Sequence, residues 1–180
     1  LAMIRRAGKL RIPFTTGILI GLGETEDERI DALLAIRDLH DEYGHIQEVI
    51  VQNFRAKDET PMAGAGEPGL VELMTACAIS RLVLGADMNI QAPPNLSADY
   101  GPLRLTGIND WGGVSPLTPD YVNPEAPWPA IATLAEKTAS MGKVLVQRLP
   151  ATVRERARRI GLLGADGFPV HAGWAAGVPS

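Results

Sequence analysis

The fold is decided by the stretch IPFTTGILIGLGETEDE, residues 12–28. Its first part, residues 12–22, is a continuous apolar, β-prone run that is too short for a buried helix and predicts a strand of a parallel sheet. Thr25 and Glu28 then stand at the spacing of a capping box, followed by an apolar helical face. A strand therefore leads directly into a helix, which we expect to end at Gly44.

The same strand-then-helix pattern recurs along the chain. Further strands are predicted at residues 45–54, 88–92 and 105–109, and further helices at residues 70–85 and 129–142. Such alternation predicts an α/β fold with parallel strands and right-handed crossovers. Four units of this kind amount to about half of an eight-fold barrel, and an open doubly wound sheet is the alternative.

Composition places the chain among globular proteins and excludes several classes. Of 180 residues, 46% are apolar and 21% are charged, and no apolar run approaches the roughly 18 residues of a membrane span. Up to Gly142 there are 11 Lys and Arg against 19 Asp and Glu, whereas the remaining residues carry 6 against 2. The acidic body argues against nucleic acid as a partner.

Cys77 is the single cysteine of the sequence. One cysteine excludes an internal disulfide and a cysteine-rich zinc or iron–sulfur site made by this chain alone, and it fits a reducing cytoplasm. Because Cys77 lies on the apolar face of a predicted helix, we expect a buried, inert thiol and not a nucleophile. The chain begins with Leu1, so we expect a fragment of a longer protein.

Polar side chains follow each predicted strand at its carboxyl end, where ligands collect in parallel α/β folds. Their amides and charges suit a heterocycle with alternating carbonyl and N–H edges, or a chain of hydroxyls. The candidates for substrate contact are Gln52, Asn53, Arg55, Gln91, Asn95, Asn109, Asp110 and Trp111. The alternative is that each of them satisfies loop backbone groups, but four polar strand ends together favour a polar organic ligand.

The first strand end is also glycine-rich. Residues 17–24, GILIGLGE, resemble the G-x-I-x-G-x-x-E motif on the fifth strand of radical SAM barrels, with Leu19 in the Ile place. Four longer strings, IPFTTGILIGLGET, GHIQEVIVQNFRAK, IQAPPNL and INDWGGVSPLTPDYVNPEAPWP, resemble in this order the FO synthase family of deazaflavin coenzyme biosynthesis. The resemblance covers about residues 1–149.

This resemblance implies a fold and a reaction. The chain would be the C-terminal half of a radical SAM TIM-like (β/α) barrel, with its strands as the fifth to the eighth. The family uses a [4Fe-4S] cluster and S-adenosyl-L-methionine to generate a 5′-deoxyadenosyl radical. That radical acts on a tyrosine-derived hydroxybenzyl adduct of 5-amino-6-(D-ribitylamino)uracil, and ring closure with loss of ammonia gives 7,8-didemethyl-8-hydroxy-5-deazariboflavin.

Site roles follow from the resemblance where the strings match. Gly17, Leu19 and Gly21 would lie against the adenine of S-adenosylmethionine, where small side chains allow a close approach. Glu24 belongs either to this cofactor-binding group or, as the helix-start acid of any β-α unit, to the turn itself. The polar strand ends would contact the substrate.

Radical SAM enzymes hold their cluster with a C-x-x-x-C-x-x-C motif, which this chain lacks. The cluster ligands, and the N-terminal half of the barrel, would therefore come from an upstream segment, and the chain alone is expected to be inactive. A fused or separate module that makes the tyrosine adduct would be a further partner. The alternatives are an α/β domain that binds a ribityl-uracil or flavin-like ligand without radical chemistry, and an inactive truncated product.

The resemblance stops at about residue 149, which divides the chain into a barrel part, 1–149, and a basic tail, 150–180. The tail is rich in Ala, Arg, Gly and Pro. It is either an out-of-frame translation of GC-rich DNA or a divergent basic helix, residues 151–163, followed by a flexible end.

Overall fold

A computed structural model of the chain describes residues 1–115 and 117–147, which form an α/β structure. In chain order the elements are α1 (Ala2–Lys9), β1 (Phe14–Ile20), α2 (Glu26–Tyr43), β2 (Ile46–Asn53), α3 (Leu70–Leu84), β3 (Asn89–Gln91) and α4 (Ile131–Ala139). Within the described residues, 3₁₀ helices at Pro94–Leu96 and Gly101–Thr106 lie between β3 and α4. The chain separates into two units, Leu1–Lys143 and Val144–Ser180, and all of these elements belong to the first.

The three strands form one parallel sheet in the order β1-β2-β3. Its register pairs Leu19 with Gln52, Gly17 with Ile50, and Ile50 with Gln91. A helix lies between each consecutive pair of strands, which is the long connection that parallel neighbours require. The predicted α/β class and parallel strands are thereby confirmed, in an arrangement compatible with part of a barrel.

The start and end of α2 are as the sequence predicts. The backbone N–H of Glu28 donates to the Thr25 hydroxyl at 3.2 Å, and the Glu28 carboxylate accepts from the Thr25 N–H at 2.8 Å. Gly44 ends the helix in the left-handed conformation with φ 63°, which a residue without Cβ adopts at little cost. Local capping chemistry thus fixes where the first helix after β1 begins and ends.

The two faces of the sheet differ in their surroundings. Helices α2 and α3 pack against one face, where the fully buried core includes Ile20, Leu33, Val49, Val51, Leu73 and Ile90. The other face, called the second face below, carries alternate residues of the strands: Thr15, Gly17 and Leu19 of β1, Glu48, Ile50 and Gln52 of β2, and Gln91 of β3. Leu19 on this face is 42% exposed.

The predicted fourth strand at residues 105–109 is wrong for most of its length. The chain enters the 3₁₀ helix Gly101–Thr106 instead and leaves it through Gly107 at φ 93°. Among the described residues, one bridge, between Gln91 and Asp110, extends the sheet. The Asn109 side chain accepts the Ile90 backbone N–H at 2.8 Å, so a side chain takes a donor of the β3 edge that a neighbouring strand would use.

Helix α1 was not predicted, because its eight residues carry no capping signal. Tertiary contacts hold it instead: Arg5 pairs with Glu42 at 2.8 Å, and a ring nitrogen of His45 lies 2.9 Å from the Ile4 carbonyl oxygen.

In the part of the chain that the structure describes, no helix combines the length and the apolar character needed to cross a membrane. The tail predicted at 150–180 lies outside the described residues.

Candidate functional site

The turn that follows β1 is closed by its own acidic residue. Glu24 accepts the backbone N–H of Gly21 at 2.8 Å with one carboxylate oxygen and the N–H of Leu22 at 2.7 Å with the other. Gly21 and Gly23 take positive φ values of 93° and 101°, a region that favours glycine. The glycines and the acid of the motif therefore form one compact structure, here called the 21–24 turn.

The charge of Glu24 is strongly stabilised. Burial opposes the ionised form, but the backbone N–H donors, among them those of Gly21 and Leu22, and the Arg29 side chain outweigh it and lower the pKa of Glu24 from 4.5 to about 2. Arg29 donates to Glu24 at 2.6 Å and to Glu72 of α3 at 2.5 Å. Glu24 was considered either as a cofactor-binding residue or as the acid of the turn itself, and this geometry supports the role in the turn.

The other residues of the glycine motif lie along β1. A Cβ added at Gly17 would stand 2.1 Å from the Ile50 carbonyl oxygen, and one added at Gly21 would stand 2.5 Å from Cδ of Pro68. Both glycines are thus required by the protein's own packing. Leu19, beside Gln52 in the register, and Leu22 are the members of the motif that expose large apolar side chains.

A polar row crosses the second face below Leu19. The Glu48 carboxylate accepts from the Gln91 amide at 2.5 Å and from the Thr15 hydroxyl at 3.4 Å. Gln91 and Glu48 are only 5% and 7% exposed. Sequence reasoning missed Glu48, although a charged residue within the apolar run of β2 was a visible signal.

The end of β2 is anchored to neighbouring loops. Asn53 is buried and its amide donates to the Leu96 carbonyl at 2.9 Å. Arg55 pairs with Glu67 at 2.9 Å, and the other oxygen of Glu67 accepts the Ala56 N–H at 2.9 Å. These two candidate residues therefore hold the loops that follow β2 and β3.

Asn95 belongs to a hydrogen-bonded network that sequence reasoning did not find. Its amide donates to Asp120 and to the Ala126 carbonyl, both at 2.9 Å. Asp120 also accepts from Asn123, and Lys57 donates to Asn123 and to Glu125. Despite partial burial, these donors lower the pKa of Asp120. The signal for this network was the run of polar residues among the prolines of residues 110–129.

The last three candidates lie at the bridge beside β3. Asn109 accepts from Arg81 at 3.3 Å in addition to the Ile90 N–H, and Asp110 accepts the Gly112 N–H at 2.7 Å. Trp111 is 4% exposed, donates to the Thr138 hydroxyl at 3.2 Å and meets Tyr100 edge to face at 5.5 Å between ring centroids. The structure thus brings Leu19, Gln52 and Gln91 onto one face and engages the other candidates in loop or core contacts.

The prediction for Cys77 is confirmed. Its side chain is fully buried, and burial raises the pKa of the thiol to about 12, although a hydrogen bond to Thr106 works in the opposite direction.

Within residues 1–115 and 117–147, no three His, Cys, Asp or Glu side chains are grouped so that they could hold a metal ion. The chemistry offered by this region is recognition by amides and carboxylates.

Fold and site together define a class of protein: an α/β protein with parallel strands whose polar side chains gather at the carboxyl edge of the sheet. No family model matches the chain. It is 57% identical over 153 residues to the "FO synthase" of Mycobacterium tuberculosis strain H37Rv. It is 54% and 56% identical over 149 residues to the "7,8-didemethyl-8-hydroxy-5-deazariboflavin synthase" of Methanocaldococcus jannaschii and of Methanococcus maripaludis strain S2.

These matches include 82–84% of the chain but only part of each relative. The matched segment is 18% of the mycobacterial protein and 41% and 45% of the two archaeal proteins. The chain therefore spans less than half the length of these relatives. It is homologous to one segment of the FO synthase family.

Proposed function

We propose that the chain is the C-terminal part of the radical SAM domain of an FO synthase. The observation that carries the proposal is that one segment, 54–57% identical to this chain, occurs both in the long mycobacterial protein and in the shorter archaeal ones. These proteins carry names for the same product, so the segment they share is part of the domain that makes it. The product would be 7,8-didemethyl-8-hydroxy-5-deazariboflavin.

Within that domain, β1, β2, β3 and the bridge at Asp110 would be the fifth to eighth strands of a TIM-like barrel. Two features support this assignment: the strands are parallel in chain order, and among the described residues β1 has a hydrogen-bonded neighbour on one side only. The second face of the sheet would line the interior of the barrel, since α2 and α3 cover the opposite face.

The [4Fe-4S] cluster does not fit on the described part of this chain. Cluster ligands are thiolates, and the one cysteine is a buried thiol with a raised pKa. We therefore infer that the cluster is held by an upstream segment of the same polypeptide, as part of a cytoplasmic enzyme.

The nucleoside of S-adenosylmethionine fits the second face better. Leu19 provides an exposed apolar surface at the strand end, and the carboxamide of its neighbour Gln52 provides both a donor and an acceptor for a purine edge. When bound, this cofactor supplies the 5′-deoxyadenosyl radical. The role of this chain would be to orient the adenosyl group and to exclude water from it.

The substrate would be the hydroxybenzyl adduct of 5-amino-6-(D-ribitylamino)uracil. Gln91 is the candidate whose orientation the structure fixes most firmly, because Glu48 accepts from its amide nitrogen and so directs the amide oxygen away from that carboxylate. An oriented carbonyl oxygen can accept an N–H of a uracil ring. Asn53 at the end of β2 would help to shape the rim together with Arg55, Asn95, Asn109 and Asp110, and Trp111 would support the rim from the core.

A chimera tests this function. The matched 149-residue segment of the Methanocaldococcus jannaschii synthase is replaced by the corresponding residues of this chain, and the unmodified synthase serves as the control. With reconstituted cluster, S-adenosylmethionine, reductant and substrate, we expect the chimera to form the fluorescent deazaflavin, and the isolated 180-residue chain to form none. A chimera with control-like iron content and circular dichroism that yields neither deazaflavin nor 5′-deoxyadenosine would contradict the proposal.

A further inference from the structure

Two separate contacts attach the 21–24 turn to the start of α3. Pro68, just before that helix, fills the position that a Cβ on Gly21 would take. Arg29 of α2 joins the turn residue Glu24 to Glu72 in the first turn of α3, with N–O distances of 2.6 and 2.5 Å. The shape of this turn therefore depends on residues more than 40 positions further along the chain.

Arg29 is largely shielded from water, and its two ion-pair partners are shielded to different degrees. Its side chain is 14% exposed, that of Glu24 20% and that of Glu72 42%. Arg29 also lines a small depression with Ile18 of β1 and Ala76 of α3, so packing as well as charge places its side chain. Burial lowers the pKa of Arg29, but the hydrogen bonds to Glu72 and Glu24 outweigh it and the net shift is upward.

Arg37 lies on the same helix and makes a very different ion pair. It contacts its sequence neighbour Asp38, with side chains 42% and 69% exposed. An exposed pair of this kind contributes little to stability. Removing Arg29 is expected to cost more, because it leaves the partly buried carboxylate of Glu24 without its cation. Arg37 is thus a matched control for Arg29.

The hydrogen bonds within the 21–24 turn also determine which groups the turn can offer to a ligand. Gly21 and Leu22 donate their N–H groups inward to Glu24, so the turn does not present these donors to a ligand. The large side chains exposed at this turn and at the adjoining end of β1 are apolar: Leu22 is 50% and Leu19 42% exposed. Contact with a nucleoside would therefore depend on how this apolar edge is placed, and hence on the groups that fix the turn.

We propose that Arg29 and Glu72 are positioning residues, which hold the 21–24 turn so that Leu19 and Leu22 form the apolar contact for the nucleoside. The proposal rests on the function proposed above. Arg29 and Glu72 lie on helices outside the strand-end motif, and through the turn they would affect nucleoside affinity.

The first test measures the turn itself. In the chimera described above we expect Arg29→Gln to accelerate hydrogen exchange of the Gly21 and Leu22 amides at least about tenfold, because their acceptor Glu24 loses its fixed position. Arg37→Gln should leave both rates unchanged, and Arg29→Lys should restore part of the protection. Glu72→Gln should have a smaller effect, and combining it with Arg29→Gln should add little, as expected for partners in one network. Unchanged exchange in Arg29→Gln overturns the proposal.

The second test measures nucleoside affinity without catalysis. In the chimera described above, binding of S-adenosylhomocysteine should weaken about tenfold in Arg29→Gln, less in Arg29→Lys, and not in Arg37→Gln. Faster exchange at the turn together with an affinity within twofold of the parent would show a merely structural ion pair and overturn the positioning role. A parent chimera that forms deazaflavin but loses no affinity on substitution overturns this inference alone, whereas a parent that neither binds nucleoside nor forms deazaflavin overturns the proposed function as well.

Discussion

Glu24 illustrates at the scale of one residue how a carboxylate shapes a turn. It receives two backbone N–H groups and one guanidinium, and it remains ionised because these donors outweigh the effect of burial. An acid at the start of a helix is favourable in any β-α unit. Here the additional contacts within the turn give Glu24 a structural function that a surface acid lacks.

This leads to a prediction about pH. The pKa of Glu24 is lower in the folded chain, about 2, than its ordinary 4.5, so its contribution to stability is complete above about pH 5 and is lost as the pH falls toward 2. We expect Glu24→Gln to lower the free energy of unfolding by about 1 to 3 kcal/mol at pH 7, and the difference from the parent to shrink below pH 5.

Urea unfolding of the chimera without its cluster, followed by circular dichroism between pH 2 and pH 7, measures this difference. Glu59→Gln is the control, because Glu59 is exposed in a loop and its substitution should change the free energy of unfolding little at any pH. A difference between Glu24→Gln and the parent that stays constant from pH 7 to pH 2 would count against a stabilised carboxylate.

At the scale of elements, the pairing of β1 with β2 depends on a missing side chain. Gly17 faces Ile50 across the register, and an added Cβ would lie 2.1 Å from the Ile50 carbonyl oxygen. Glycine inside a strand often marks a close approach of two backbones. The glycine of the strand motif therefore has a packing role in addition to the cofactor contact proposed for it.

We accordingly predict that Gly17→Ala moves the two strands apart and destabilises the fold by about 1 to 3 kcal/mol, the usual cost of overpacking. Gly66→Ala is the matched control, since an added Cβ there meets no atom within 4 Å; it should be close to neutral. Urea unfolding of the two variants, each made in the chimera without its cluster, compares them directly. Equal stability of Gly17→Ala and the parent would show that β1 and β2 adjust without cost.

At the scale of the whole molecule, the edge of the sheet determines the behaviour of the isolated chain. Among the described residues, the outer side of β1 has no strand beside it, and Leu19 and Leu22 expose apolar surface next to it. An uncovered parallel edge favours pairing with other chains. In the proposed enzyme, the upstream half of the barrel would cover both the edge of β1 and the apolar side chains next to it.

We therefore expect the isolated 180-residue chain to self-associate and to be poorly soluble, and the chimera with the upstream segment to be soluble. Size-exclusion chromatography with light scattering measures both. A monomeric 180-residue chain that melts in one cooperative transition would contradict the half-barrel assignment, because such a chain would have covered its own edge.

The elements with strong local signals were the predictable ones. The capping pair Thr25 and Glu28, the helix end at Gly44 and the apolar runs of β1 and β2 depend on neighbours within a few positions, and the structure contains all of them. The predicted fourth strand failed because Leu105 and Thr106 belong to a 3₁₀ helix that ends at Gly107, while the side chain of Asn109 takes the donor at the edge of β3.

The sequence by itself determined the α/β class, most element positions and the inert cysteine, because each depends on a local pattern of residues. It also determined the resemblance to the FO synthase family, which depends on long matching strings. Only the tertiary structure decided which polar side chains are already engaged. Trp111 is in the core, Asn53 holds the Leu96 carbonyl and Arg29 joins two acids, one of them 43 positions away. The physical reason is that a hydrogen bond needs its partner within about 3 Å, and packing of the whole chain sets that distance.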